Sequence, residues 1–95
     1  MPAVTRQGDE CTGHGTYGPR PSISGSENVL INGIPAHRGG DGWASHCNPK
    51  SCHDSTLSGG SGSVMANGKP LGRVGDPIAC GSAVAAGSPD VFAGG

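Results

Sequence analysis

The sequence predicts a small all-β fold made of three β-hairpin-like repeats with pseudo-threefold symmetry. Three G-S-x-x-V segments alternate with three R-x-G-D segments along the chain. Residues 25–41 and 60–76 carry both signals and align without gaps. In addition, no stretch combines helical periodicity with helix caps. These three observations favour short strands and many turns, repeated three times around one axis.

The composition indicates that this fold needs a source of stability besides its hydrophobic core. With 95 residues, the chain is long enough for one domain, which we place at 1–95. Hydrophobic residues make up only 33% of it, and Trp, Tyr and Phe occur once each, so large core side chains are scarce. A domain of this kind depends on disulfides, a metal or a partner. The net charge of −1 and the lack of a basic stripe argue against binding to nucleic acid.

Each G-S-x-x-V segment is predicted to start a hairpin. In the first hairpin, V-L-I precedes Asn32 and Gly33, and in the second V-M-A precedes Asn67 and Gly68. Asn-Gly is the strongest short signal for a type I′ turn, because both central residues need a positive φ. In the third, V-F-A precedes Gly-Gly and the chain stops, so we expect that hairpin to be cut short. The three Arg–Asp pairs of R-x-G-D are interpreted as surface salt bridges that hold the turns, worth about 0–1 kcal/mol each.

Two sets of apolar residues occupy equivalent positions in the predicted strands. They are Val29, Val64 and Val91, and the residues that follow them, Leu30, Met65 and Phe92. Side chains alternate between the two faces of a strand. One of the two sets is therefore expected to face the interior or a binding partner.

The loops that follow R-x-G-D place potential metal ligands in register. His14 comes five residues after Asp9, His46 five after Asp41, and Cys80 four after Asp76. Three equivalent loops would bring these side chains together near the pseudo-threefold axis. Zinc in structural sites takes four Cys or His ligands. The loop after Asp41 is the longest of the three, and it carries the residue that we choose as the fourth ligand, His53.

Other residues compete for the fourth position. Cys47, Cys52 and His37 are the alternatives, although His37 is off the register of the loops and is expected to be a polar surface residue. Cys47 and Cys52 could instead form a small disulfide loop or be spare thiols, and Cys11 is expected to be free or a partner in oxidation. The N-terminus lacks the apolar segment of a signal peptide, so we expect the chain to be made in the cytoplasm. In that compartment, four cysteines favour metal binding or free thiols over a disulfide framework.

An enzymatic function is disfavoured by the same residues. A catalytic zinc keeps a water-bound position, and four protein ligands would leave none. Nucleophile elbows, P-loops and dinucleotide fingerprints are absent from the sequence. A free-standing zinc-binding module or small zinc hydrolase remains the alternative, followed by a secreted disulfide-stapled peptide.

The order of these motifs resembles that of the PAAR-repeat proteins, named for a Pro-Ala-Ala-Arg motif. The corresponding segments are P-A-H-R at 35–38 and P-L-G-R at 70–73; each follows N-G-x and precedes x-G-D. Neither keeps both central alanines, but the resemblance extends from R-Q-G-D to V-F-A-G-G. It implies a small cone of three hairpin-like sides, with zinc near the vertex held by His and Cys. The matching residues are His14, His46, His53 and Cys80.

The resemblance also implies a role. Members of the family sharpen the blunt end of a trimeric β-helical spike in type VI secretion systems or contractile phage tails. One tip caps one trimer, and the spike is driven through a target envelope with only transient contact to its membrane. Some members carry toxin domains as extensions, whereas this chain is expected to be a bare tip without an effector of its own, with effector cargo only as a separate partner. The surface expected to meet the spike is the strand set Val29, Val64, Val91, Leu30, Met65 and Phe92.

Overall fold

The computed structural model describes residues 1–94 and contains three separate two-stranded antiparallel sheets. The strands are β1 (Leu30–Ile31), β2 (Ile34–Pro35), β3 (Gly42–Cys47), β4 (Cys52–Thr56), β5 (Met65–Ala66) and β6 (Lys69–Pro70). Each strand pairs with its neighbour in sequence, β1 with β2, β3 with β4 and β5 with β6. Within residues 1–94, no helix is long and apolar enough to cross a membrane. The predicted all-β class is confirmed.

The two Asn-Gly turns have the predicted backbone conformation. Asn32 and Gly33 have φ values of 56° and 78°, and Asn67 and Gly68 have 56° and 76°. Positive φ at both central positions is the hallmark of a type I′ turn, whose twist matches the flanking strands. The two hairpins also share their register, since Leu30 faces Pro35 as Met65 faces Pro70.

The third hairpin is completed by the N-terminus, so the expectation that it is cut short is wrong. Phe92 faces Ala3 in an antiparallel bridge, the same register as in the other two hairpins. Val4 N–H donates to Val91 O at 2.9 Å, and Ala93 N–H donates to Pro2 O at 3.1 Å. Residues 2–4 and 91–93 thus belong to the same hairpin. The Gly-Gly pair predicted to follow this strand ends at Gly95, which lies outside the described residues.

A closed ring of bridges joins the three hairpins. The arginine of each R-x-G-D segment pairs with the residue after Pro35, after Pro70 or after Ala3, which occupies the equivalent position in the third hairpin. The bridges are Arg6 to Ala36, Arg38 to Leu71, and Arg73 to Val4. Because the third bridge returns to the first residues of the chain, the pseudo-threefold arrangement closes on itself.

The apolar interior is divided into two small clusters. The hairpin core contains Val4, Ala36, Leu71, Ala66 and Ala93, with Val29, Ile31 and Val91 packed against it. The loop core contains Cys11, Trp43, Leu57, Ile78 and Val84, with Val74 and Cys80 packed against it. Trp43 is the one large aromatic side chain in either cluster, so each core buries little apolar surface.

The three Arg–Asp pairs are more buried than the sequence suggested. Their side chains are 6–16% exposed, and the nearest N–O distances are 2.8–2.9 Å. In each pair the carboxylate also accepts a hydrogen bond from the arginine backbone N–H. Burial alone would raise the pKa of Asp41, but the side-chain and backbone hydrogen bonds from Arg38 outweigh it and lower that pKa. The predicted salt bridges are therefore confirmed, but they are bidentate pairs within the fold and not surface pairs.

Each Arg–Asp pair also connects two repeats. Arg6 and Arg38 donate through Nη1 to the side-chain oxygens of Asn32 and Asn67, and Arg73 donates to Gly94 O. The same acceptors receive hydrogen bonds from the hydroxyls of Ser88, Ser26 and Ser61, respectively. These polar contacts supplement the small hydrophobic cores.

Candidate metal centre

Four potential metal ligands converge in the structure. They are His14, His46, His53 and Cys80, and their donor atoms all lie within 4.8 Å of one another. His46 and His53 face each other across β3 and β4, His14 lies in a turn closed by paired backbone hydrogen bonds with Tyr17, and Cys80 lies in the loop after Asp76. They are the three residues selected by their spacing from the aspartates and His53, which was chosen as the fourth. They come together because the three loops after R-x-G-D occupy equivalent places around the ring.

The imidazole nitrogens are close enough to share one ion. His14 Nε2 and His46 Nε2 lie 3.1 and 2.7 Å from His53 Nε2. Two nitrogens at zinc-ligand distance in a tetrahedral site are about 3.3 Å apart. The first distance is near that value, while the second requires His46 and His53 to separate by about 0.6 Å. Three imidazole nitrogens and one thiol are a donor set that suits zinc.

Hydrogen bonding orients His46 towards the centre. Its Nδ1–H donates to the carbonyl oxygen of Gly18 at 2.8 Å, which leaves Nε2 with its lone pair facing His53. A backbone carbonyl in this role fixes both the tautomer and the ring orientation of a metal-ligating histidine. His46 is also almost fully buried, at 3% exposed, so its ring has little freedom.

The surroundings of His53 favour its neutral form. Desolvation lowers the pKa of His53, and the neighbouring imidazoles of His46 and His14 lower it further. A metal ligand must present an unprotonated nitrogen. The clustering therefore keeps His53 in the state that binding requires.

Tyr17 covers the cluster, a role that our sequence reasoning missed. Its ring centroid lies 4.2 Å from that of His53 and 5.0 Å from those of His14 and His46. Its hydroxyl is hydrogen bonded to Ser51 Oγ at 2.6 Å and is therefore engaged away from the imidazoles. An aromatic residue three positions after a predicted ligand, in a glycine-rich turn, was the available signal.

The residues that competed for the fourth position have other roles. Cys47 and Cys52 form a disulfide, which is the small disulfide loop considered among the alternatives, so the general preference for metal binding or free thiols does not hold for this pair. His37 is fully buried, and its Nδ1–H donates to Ser24 O at 2.8 Å, which corrects its assignment to the surface. Cys11 is a free thiol buried in the loop core, and its Sγ accepts a hydrogen bond from Arg20 N–H.

The β3–β4 hairpin was also missed. The loop after Asp41 was recognised as longer than its equivalents, but it was not expected to form strands. Its two strands pair from Gly42 opposite Thr56 to Cys47 opposite Cys52, with a register irregularity between Trp43 and His46. The Asn-Pro pair between the two cysteines is a turn signal that could have indicated a hairpin.

The strand set predicted to meet a partner is divided by burial. Leu30, Met65 and Phe92 are 55%, 53% and 50% exposed. Val29 and Val91 are partly buried against the hairpin core, whereas Val64 is 40% exposed. The alternation of strand faces thus places one apolar side chain of each hairpin outwards, at an equivalent position.

The comparison with known proteins agrees with this architecture. The family model described as "PAAR motif" matches residues 12–86 of the 95-residue chain. A search of curated proteins found no match. The matched segment contains all four converging side chains and both complete Asn-Gly hairpins. The chain therefore belongs to the PAAR motif family.

Proposed function

We propose that this protein is a zinc-stapled, non-catalytic tip that caps a trimeric β-helical spike. The observation that carries the proposal is the convergence of His14, His46, His53 and Cys80 in a pseudo-threefold body of the PAAR family. The family match supports a structural role at a spike tip. The metal and the partner are argued separately below.

Zinc is the metal that suits this donor set. Three neutral imidazoles and one thiolate would fill its four positions, which is typical of structural sites. Such a site contributes about 10 kcal/mol or more of folding free energy in small zinc domains. That stabilisation would compensate for two cores that contain few large side chains. When bound, zinc would supply stiffness and no catalysis, because no position stays open for water.

The outward apolar side chains suit a trimeric partner. Leu30, Met65 and Phe92 project from three equivalent hairpins and are half-exposed. A threefold spike presents the same surface three times, so one pseudo-threefold tip can contact all three of its subunits alike. With a net charge of −1, electrostatic steering would contribute little, and apolar contact would dominate.

This role defines where the protein acts. It would be made in the cytoplasm, mounted on its spike, and carried through a target envelope with brief membrane contact. Effector cargo, where present, would travel on the same particle. Type VI secretion systems and contractile phage tails both use a trimeric spike, so the proposal covers both machines.

One experiment tests metal and partner together. Zinc content and co-purification with a trimeric spike from the same genome would be measured on each variant. Wild type should hold about one zinc per chain. His14→Ala and Cys80→Ser should lose zinc and melt at lower temperature, because metal binding and folding are coupled. Met65→Asp and Phe92→Asp should keep zinc but lose the spike, because a charge buried at an interface is costly.

The chain offers a matched control for the docking variants. Ile23 is 57% exposed and lies outside the hairpin strands, so Ile23→Asp should keep both zinc and spike binding. A well-folded wild type without metal would overturn the zinc assignment. Retention of the spike by Met65→Asp and Phe92→Asp would overturn the assignment of the docking surface.

A further inference from the structure

The Cys47–Cys52 disulfide lies directly beside the proposed metal ligands. In the paired register of β3 and β4, Cys47 faces Cys52 and the preceding pair is His46 facing His53. Each cysteine is therefore the chain neighbour of one ligand. The covalent bond closes the end of the hairpin at the point where these two imidazoles must be held together.

The other end of this hairpin holds the histidine pair less directly. The register is irregular between Trp43 and His46, so the regular ladder that starts at Gly42 does not continue to the histidines. Trp43 anchors that end in the loop core. The His46–His53 pair thus lies between an irregularity on one side and the disulfide on the other. Without the disulfide, the strand pairing of His46 with His53 would have no covalent support at this end of the hairpin.

The disulfide loop also holds the turn that carries His14. Asn48 Nδ2 donates to Thr16 Oγ1 at 2.9 Å, and the Tyr17 hydroxyl is hydrogen bonded to Ser51 Oγ. Both contacts join residues between the two cysteines to the turn after His14. A change in the order of this loop would therefore reach three of the four proposed ligands.

The disulfide is accessible to small reagents. Cys47 and Cys52 are both exposed, in contrast to the buried Cys11. Exposed disulfides are the ones that exchange readily with thiols in solution. Cys80, the fourth proposed ligand, lies in a separate loop and forms no disulfide with this hairpin.

We propose that the Cys47–Cys52 pair is a redox-responsive clamp that controls how firmly the metal is retained. Oxidation locks the spacing of His46 and His53 and the turn that carries His14. Reduction restores loop freedom, so the imidazoles leave the ion more easily. The inference rests on the proposed metal function and adds to it a dependence on the thiol–disulfide state of the surroundings.

The chemistry is a balanced thiol–disulfide exchange. One protein thiolate attacks a low-molecular-weight disulfide such as oxidised glutathione, forming a mixed disulfide and releasing one thiol. The second protein thiolate then attacks the bonded protein sulfur and releases the second thiol. The two protein thiols are oxidised to one disulfide, the small disulfide is reduced to two thiols, and both protons go to the released thiols. A small dithiol reverses the reaction.

The test is the rate of zinc release from the zinc-loaded full chain to an excess of a chromogenic chelator. Oxidised wild type is compared with wild type reduced by a phosphine, which opens the disulfide without supplying thiols. The variant Cys47→Ser/Cys52→Ser removes the bond with little change in side-chain size. We expect release to be at least about tenfold faster in the reduced protein and in the double variant, because closing a loop restricts the opened state.

Two controls distinguish the effect of opening the disulfide from an action of the phosphine on Cys80 and from unfolding of the double variant. The phosphine should leave release from the double variant unchanged, which excludes an action on Cys80. Circular dichroism before chelator addition shows whether the double variant is folded, and the reduced wild type gives an independent measurement if it is not. Equal rates within twofold, or slower release on reduction, would overturn the proposal. Oxidised protein that binds no zinc would instead overturn the proposed metal function.

Discussion

His37 and His46 are both buried histidines with the same type of hydrogen bond, yet they differ in what faces Nε2. Each donates Nδ1–H to a backbone carbonyl at 2.8 Å, Ser24 O for His37 and Gly18 O for His46. The Nε2 of His46 faces another imidazole, whereas that of His37 has no hydrogen-bond partner among the described residues. His37 instead packs edge-on against Trp43. One histidine is thus available as a ligand, and the other fills space in the fold.

Burial of His37 makes folding sensitive to acid. Desolvation lowers the pKa of His37, and the positive charge of Arg38 lowers it further. The hydrogen bond to Ser24 and the carboxylates of Asp41 and Asp9 raise this pKa, but they do not offset the desolvation. Since the folded-state pKa lies below the unfolded value of about 6.5, the neutral side chain favours folding above that pH. This contribution is lost as the pH falls from about 6.5 through the folded-state pKa.

The acid sensitivity caused by His37 is measured as a difference in the free energy of unfolding between wild type and a His37 variant. The free energy of unfolding of wild type relative to His37→Gln should fall between pH 7.5 and 5.0, by up to about 1.4 kcal/mol per pH unit. The proposed metal ligands and the neighbouring charged groups are the same in both proteins, so their titration largely cancels. Chemical denaturation at several pH values provides the measurement. Parallel stability curves would contradict the assignment of a buried neutral His37.

At the scale of the element, the Asn-Gly hairpins depend on backbone conformation more than on packing. Gly68 has a φ of +76°, and a Cβ built on it would have no heavy atom within 4 Å. An alanine there would meet no steric obstacle from neighbours, so its cost would come from the left-handed backbone alone. The same holds for Gly33 in the first hairpin.

Gly68→Ala should therefore lower the free energy of unfolding by about 1 kcal/mol or more. Gly42 in β3 is the matched control, because its φ is not in the left-handed range and a Cβ would lie 3.5 Å from the Ile23 side chain, an ordinary contact. Gly42→Ala should change stability by about 0.5 kcal/mol or less. Denaturant midpoints of the two variants give the comparison. A greater loss in Gly42→Ala would show that the turn conformation is not the dominant constraint.

At the scale of the whole molecule, closure of the ring depends on the pairing of residues 2–4 with residues 91–93. Phe92 faces Ala3 as Met65 faces Pro70. Along the chain, five steps separate Met65 from Pro70, and five would separate Phe92 from Ala3 if Gly95 were joined directly to Pro2. The described part of the third hairpin thus has the register of the other two.

A circular permutant tests this equivalence. Joining Gly95 to Pro2 and opening the chain between Asn67 and Gly68 should give a protein with the wild-type zinc content and a melting temperature within about 5 °C of it. A second permutant with the same junction, opened between Ala44 and Ser45 inside β3, should fail to fold because the strand next to His46 is broken. Calorimetry and elemental analysis check both. Failure of the first permutant would contradict the equivalence of the three hairpins.

Local patterns in the sequence determined the repeat, the turns and the choice of converging side chains. Asn-Gly predicts its turn because both residues tolerate a positive φ, a property of the residues themselves. His14, His46 and Cys80 were selected because equivalent loops in a repeat occupy equivalent places, so counting from each aspartate was enough. His53 was chosen because it lies in the longest loop, but the sequence did not exclude Cys47, Cys52 or His37.

The tertiary structure alone decided what depends on contacts between distant segments. The pairing of Ala3 with Phe92 and the burial of His37 have no local signature, and the depth at which the Arg–Asp pairs are buried was not visible in R-x-G-D. The bond between Cys47 and Cys52 remained one of several alternatives until β3 and β4 placed the two residues opposite each other. The physical reason is the same in each case. Backbone preference acts within a few residues, whereas burial and cross-strand proximity exist only once the chain has folded.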